Sequence, residues 1–131
     1  MKRAWTLAGA YACAILTFTS LPTEVLAYIR GLSFPDVFAH TGLYVPLGVL
    51  VFRALSVTYP RRSLTCCWLY SLLLCGGFAA LDEVHQIFIR GRWCDIRDWL
   101  ADMVGILAGT VVIILYSMAR GDRPPAPRAD G

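Results

Sequence analysis

The chain has 131 residues, of which 57% are hydrophobic and only 16% are charged, and its mean hydropathy is +0.58. This length allows one domain, and the apolar fraction exceeds what a soluble domain of that size needs for its core. The net charge of +3 is small and spread along the chain, so we expect no nucleic-acid partner.

Four apolar runs predict an all-α polytopic membrane protein, a compact bundle of four transmembrane helices. They cover residues 5–20, 37–52, 64–80 and 99–118. Each has about 16–20 residues, close to the ~20 that a helix needs to cross a bilayer. Together they predict a transmembrane domain over residues 1–119, followed by a disordered cytoplasmic tail over residues 120–131. A cleaved signal peptide is the competing interpretation of the first run, which is long for that purpose and is closed early by Pro22.

The distribution of charges predicts the orientation of the bundle. Eight of the twelve basic residues lie in the N-terminus, the loop 53–62 and the tail, so the positive-inside rule places both termini in the cytoplasm. The loops 21–35 and 81–97 then face outward. Seven of the nine acidic residues lie in these loops or in the adjoining helix turns, so the polar chemistry gathers at one membrane interface.

Helical spacing places several polar side chains on common faces at that interface. Spacings of three or four residues align Asp36, His40 and Tyr44 on the second helix, Asp98 and Asp102 on the fourth, and Asp82, His85 and Gln86 on the third if it continues past residue 80. The helix macrodipole accounts for an acid at a helix start, but His40 and Asp102 lie one turn deeper. A charged acid in lipid costs about 2.5–3.5 kcal/mol, so we expect Asp102 to point inward, toward His40 or an arginine.

These residues define a candidate outward-facing polar pocket. The predicted binding residues are Asp36, His40, Tyr44, Asp82, Glu83, His85, Gln86, Arg90, Arg92, Asp98 and Asp102, and the candidates for catalysis are His40, His85, Asp82 and Asp102. No cofactor or metal site is assigned, because the two histidines match no known ligand spacing. The structural alternative is a charge clamp, in which three arginines pair with four acids: Arg90, Arg92 and Arg97 with Asp82, Glu83, Asp95 and Asp98. Tyr44 is interpreted as a packing residue whose hydroxyl group makes a hydrogen bond.

Small and aromatic residues near the pocket have structural interpretations. Gly105 and Gly109, with Ala101, form a small-residue row that predicts close packing within the chain, with Gly76 and Gly77 as the complement; a homo-oligomer contact is the less favoured alternative. Trp93 and Trp99 are predicted to anchor at the headgroup interface, and Cys94 is predicted to be an inert thiol.

Three ordered segments resemble the VanZ-like family of small bacterial membrane proteins. They are Asp36-Val-Phe-Ala-His40-Thr-Gly-Leu-Tyr44, Asp82-Glu83-Val-His85-Gln86-Ile-Phe88 and Asp98-Trp-Leu-Ala-Asp102-Met-Val-Gly105, and Thr19-Ser20-Leu21-Pro22 resembles the end of the family's first span. The chain departs from the family pattern at Val37, where the family has Lys, and at Asp102, where it has Asn. Both changes make the pocket more acidic, so a proton, an arginine such as Arg92 or a cation must compensate.

The resemblance implies a multi-pass protein of the bacterial cytoplasmic membrane and a role in the cell envelope. The named member of the family is associated with resistance to the glycopeptide teicoplanin. We expect membrane lipids as partners and a pocket that binds the headgroup of a lipid-linked cell-wall intermediate or of a glycopeptide. One alternative is a hydrolase or transferase on such a lipid, with His40 or His85 as general base or with both histidines and carboxylates as metal ligands. The other is a proton-linked transporter.

Overall fold

A computed structural model describes residues 1–22, 24, 25, 28 and 36–121 of the chain. Its described part contains four α-helices and no strand: α1 is Lys2–Thr19, α2 is Asp36–Thr58, α3 is Leu64–Gln86 and α4 is Ile96–Ala119. The all-α prediction is therefore confirmed. The predicted disordered tail, apart from residues 120 and 121, and most of the first predicted outer loop lie outside the described residues.

Three of the helices are long and apolar enough to cross a membrane. They are the segments Val37–Thr58, Leu64–Gln86 and Ile96–Ala119. Helix α1 does not meet this measure, because its 18 residues begin with Lys2 and Arg3. At 1.5 Å per residue it is about 27 Å long, slightly shorter than the ~30 Å hydrocarbon core.

The helices extend beyond the apolar runs that predicted them. Helix α2 continues to Thr58 and α3 to Gln86, so residues 53–58 and 81–86, predicted to be loop, are helical. Helix α4 begins at Ile96, three residues earlier than its apolar run, and Asp95 caps it by accepting a hydrogen bond from the Arg97 backbone N–H at 2.8 Å. An apolar run identifies only the uncharged part of a helix. The helix itself can continue into polar residues where their side chains have buried partners.

Helices α2 and α4 form the most extensive pair in the bundle. A Cβ atom at Gly48 would lie 2.7 Å from the Ile106 carbonyl oxygen, and one at Gly105 would lie 3.1 Å from the carbonyl carbon of Thr41 and closer still to its oxygen. Gly109 faces the Val45 carbonyl in the same way. Only glycine allows the two backbones to approach this closely.

The small-residue row therefore packs within the chain, but against a different helix from the predicted one. Gly76 of α3 faces the side chain of Met103, and a Cβ atom at Gly77 would meet nothing within 4 Å. The prediction that these two glycines complement the row was wrong, because the row contacts the backbone of α2. Thr41 strengthens this pairing by donating from Oγ1 to the Ala101 carbonyl at 3.1 Å.

Candidate functional site

The close approach of α2 and α4 brings His40 against Asp102. His40 precedes Thr41, the residue whose carbonyl faces Gly105, and Asp102 lies one turn before that glycine. The Nδ1 atom of His40 is 3.0 Å from Oδ1 of Asp102, and these residues are 3% and 0% exposed. When Asp102 is ionised, its oxygen accepts from Nδ1, which then carries the proton, and Nε2 is left to face Asp98.

Asp82 is held by hydroxyl groups from two other helices. Its carboxyl group is completely buried, and Thr19 of α1 donates from Oγ1 to Oδ1 at 2.7 Å. Tyr44 of α2, also fully buried, donates to Oδ2 at 3.1 Å. Asp82 thus ties α3 to α1 and to α2, at a residue of α2 one turn after His40.

Glu83 is fixed by the segment that connects α3 to α4. Its Oε2 atom accepts from the Asp95 backbone N–H at 3.1 Å, and its Oε1 atom accepts from Nε2 of Gln86 at 3.5 Å. The Oε1 atom of Gln86 in turn accepts from Nη1 of Arg92 at 2.6 Å. Among the described contacts, Arg92 is therefore linked to the buried acids through the amide of Gln86.

Asp98 completes the arrangement at its more open side. Its side chain is 21% exposed, and its Oδ2 atom is 3.7 Å from Nε2 of His40. Oε1 of Glu83 is 3.9 Å from Nδ1 of His40. One ligand atom each from His40, Glu83 and Asp98 lie within 4.8 Å of one another, a spacing that one metal ion or one proton network can bridge. We call His40, Glu83, Asp98 and Asp102 the acid–histidine cluster.

Three of the predicted binding residues are not brought into contact with this cluster by the described part of the structure. Arg90 is exposed, and His85 makes no described contact with His40; its Nδ1 atom is buried and has no hydrogen-bond partner among the described residues. The side chain of Asp36 lies outside the described part of the structure.

The predicted arginine clamp does not describe how the three most buried acids are held. Within the part of the chain that the structure describes, Asp82, Glu83 and Asp102 form no ion pair with an arginine. Their partners among these described residues are the imidazole of His40, hydroxyl groups, a side-chain amide and a backbone N–H.

Two contacts at the site were not predicted by the helical spacing of the polar residues. Thr19 contacts Asp82 from the end of α1, and the only signal for it in the sequence was its place in the family-like segment Thr19-Ser20-Leu21-Pro22. Trp99, predicted to anchor at the interface, is half-buried and donates from its indole N–H to the Gly76 carbonyl at 3.2 Å. This bond joins α3 and α4 beside the cluster.

A comparison with known protein families matches a stretch of the chain that includes the whole cluster. The family model described as VanZ/LLP1 matches residues 11–117, which include the four residues of the acid–histidine cluster. The chain belongs to the VanZ/LLP1 family. No curated protein and no solved structure gave a significant match. As a VanZ/LLP1 protein with three helices able to span a bilayer, the chain is a VanZ-like membrane protein.

Proposed function

We propose that this VanZ/LLP1 protein crosses the bacterial cytoplasmic membrane four times and binds, from the outer side, the polar headgroup of a cell-envelope lipid or of a lipophilic glycopeptide. The observation that carries the proposal is the convergence of polar side chains from all four helices at one end of the bundle. Thr19, Tyr44, Asp82 and Asp102 are each at most 2% exposed and come from α1, α2, α3 and α4 respectively. Buried polar groups of this kind in a membrane bundle are costly, and they commonly mark functional sites.

The surroundings of this polar end suit a ligand with a polar head and an apolar tail. Arg92 and Asp98 are partly exposed at the rim, where they can meet a headgroup. Leu81, Phe88 and Trp93 are between 70% and 84% exposed nearby in the chain and can contact acyl chains. An arginine binds phosphate groups through paired N–H donors, which favours a phosphorylated lipid head.

The orientation can be tested with a natural cysteine. Cys94 is exposed in the connection between α3 and α4. We expect a membrane-impermeant maleimide to label intact cells at this residue, and Cys94→Ser to abolish the labelling. Labelling that requires permeabilised cells would place this connection inside and contradict the proposed orientation.

Headgroup binding can be tested in lipid nanodiscs with two probes, teicoplanin and a polyprenyl pyrophosphate. We expect Arg92→Ala to weaken binding of at least one probe about tenfold, the order of one lost charged hydrogen bond. Arg61→Ala is the matched control, because Arg61 is exposed at the opposite end of α3 and should leave binding unchanged. If the folded protein bound neither probe, or if both variants weakened binding equally, headgroup recognition would be rejected.

A role in teicoplanin resistance is part of the same proposal and requires a separate test. Expression in a teicoplanin-sensitive bacterium should raise the inhibitory concentration, and Arg92→Ala should return it to the level of the empty vector. An inhibitory concentration that expression does not alter would restrict the function to lipid binding.

A hydrolase or transferase activity is the second candidate, favoured by one contact. The 3.0 Å contact between His40 and Asp102 is the arrangement in which a carboxylate orients a histidine for general-base catalysis. Release of phosphate from a polyprenyl pyrophosphate, lost in His40→Gln, would support an enzyme. Equal release by the wild type and this variant would exclude it.

A further inference from the structure

We propose that His40, Glu83 and Asp98 bind one divalent transition-metal cation of the Zn²⁺ class, and that Asp102 holds His40 in the ligating tautomer. The three ligand atoms come from three helices and lie within 4.8 Å of one another. One imidazole nitrogen and two carboxylate oxygens form a donor set that suits such cations. The pairing of His40 with His85 considered from the sequence is not part of this site.

The orientation of His40 is the first argument. Its Nδ1 atom faces Oδ1 of Asp102 at 3.0 Å, so an ionised Asp102 places the proton on Nδ1 and the lone pair on Nε2. Histidine ligands of metals usually donate their other ring N–H to a carboxylate, which fixes the ring and raises its basicity. Asp102 is therefore a positioning residue for His40.

The contact on the other side of the ring is the second argument. Nε2 of His40 is 3.7 Å from Oδ2 of Asp98, which is too long for a direct hydrogen bond. Two ligands with metal bonds of about 2.0–2.2 Å lie roughly 3.0–3.5 Å apart, so a movement of a few tenths of an ångström would complete the pair. Glu83 is already held by the Asp95 backbone N–H and by Gln86, which is the outer support that a carboxylate ligand needs. Its Oε1 atom lies 3.9 Å from Nδ1 of His40, so this side chain must turn toward Nε2 to complete the site.

An unsatisfied polar atom is the third and independent argument. Oδ2 of Asp102 is buried and has no hydrogen-bond partner among the described residues, although the residue is 0% exposed. Among these same residues, no lysine or arginine is paired with Asp82, Glu83 or Asp102. Buried carboxyl groups are stabilised either by protons or by positive charge nearby, and a divalent cation beside His40 would supply the positive charge.

A bound cation would also explain how so acidic a site accepts a phosphate. Phosphate and carboxylate groups repel each other, whereas a cation held by the carboxylates can bind a phosphate oxygen directly. This consequence rests on the proposed headgroup function, but binding of the cation itself does not. The two are separable because the cation is measured without any lipid probe.

The test is a zinc titration of the full-length protein in detergent after removal of metals with a chelator. We expect one Zn²⁺ per chain by isothermal titration calorimetry, and at least tenfold weaker binding in His40→Gln and in Asp98→Asn. Asp95→Asn is the matched control: its carboxyl group caps α4, and asparagine caps equally well, so zinc binding should not change. Asp102→Asn should weaken zinc binding about 10–100-fold. It should also shift the pH dependence of zinc binding, whereas a loss of folded structure alone would leave that pH dependence unchanged.

Circular dichroism establishes that each variant is folded, and Asp98→Asn is the variant best suited to remain so because Asp98 is partly exposed. The proposal is overturned if the folded wild type binds no zinc. Unchanged zinc binding in Asp98→Asn would also overturn it, because the zinc would then be an adventitious ion at the cysteines. So would an equal loss of zinc binding in Asp95→Asn and Asp98→Asn.

Discussion

Replacing Gly105 by alanine should separate α2 from α4 at the level of the acid–histidine cluster. The added Cβ atom would lie 3.1 Å from the carbonyl carbon of Thr41 and closer to its oxygen, whereas ordinary contacts of this kind are about 3.5–4.0 Å. The helices must therefore move apart by roughly 1 Å. The 3.0 Å contact between His40 and Asp102 would then open beyond hydrogen-bond distance.

The expected cost follows from these changes. Overpacking costs about 1–3 kcal/mol, and loss of a hydrogen bond to a buried acid adds about 1.5–3 kcal/mol. The higher helix propensity of alanine returns about 0.5–1 kcal/mol. We therefore expect Gly105→Ala to lower the free energy of unfolding by roughly 1.5–5.5 kcal/mol.

Gly77 supplies the matched control for this substitution. It lies inside α3, and a Cβ atom there would meet nothing within 4 Å. The same substitution at Gly77 should therefore raise the free energy of unfolding by about 0.5–1 kcal/mol. Reversible unfolding in mixed micelles with increasing sodium dodecyl sulfate, followed by the fluorescence of the four tryptophans, measures both changes. If Gly105→Ala unfolded at the same detergent fraction as Gly77→Ala, the close approach of α2 and α4 would be refuted.

Two other substitutions probe single contacts by the same unfolding measurement. Tyr44→Phe removes the hydroxyl that donates to Asp82 at 3.1 Å without changing the packing of the ring, so it should cost about 1–2 kcal/mol, and an unchanged stability would contradict this contact. Asp95→Ala removes the N-cap of α4 and should lower the free energy of unfolding by about 1 kcal/mol, whereas Asp95→Asn should leave it almost unchanged. Equal losses of stability in both variants would show that the carboxyl charge matters and not the cap.

Much of the fold was predictable from local patterns. Long apolar runs predicted helices α2, α3 and α4 because a segment without charges can be solvated by lipid only if its backbone bonds are satisfied within it. The spacing of four residues predicted that His40 and Tyr44 share a face of α2, and both are buried there. The depth of Asp102, one turn into its helix, predicted that it points inward, and its nearest partner is His40.

The helix limits and the partners of each acid could not be read from the same patterns. Residues 81–86 were predicted to be loop because they are polar, but Asp82 and Glu83 find partners on other helices and the helix continues through them. Similarly, the glycine row predicted a close approach without identifying the partner helix. Periodicity describes one helix at a time and contains no information about its neighbour.

The sequence by itself determined the class of this protein, the approximate positions of its helices and most of the polar side chains that converge, because each of these depends on residues close together along the chain. Only the tertiary structure decided that Thr19 contacts Asp82, that His85 makes no described contact with His40, and that Glu83 and Asp98 lie beside one imidazole. Those contacts depend on the rotation and separation of whole helices. The backbone approach of α2 to α4 at Gly48, Gly105 and Gly109 sets that geometry for His40 and Asp102.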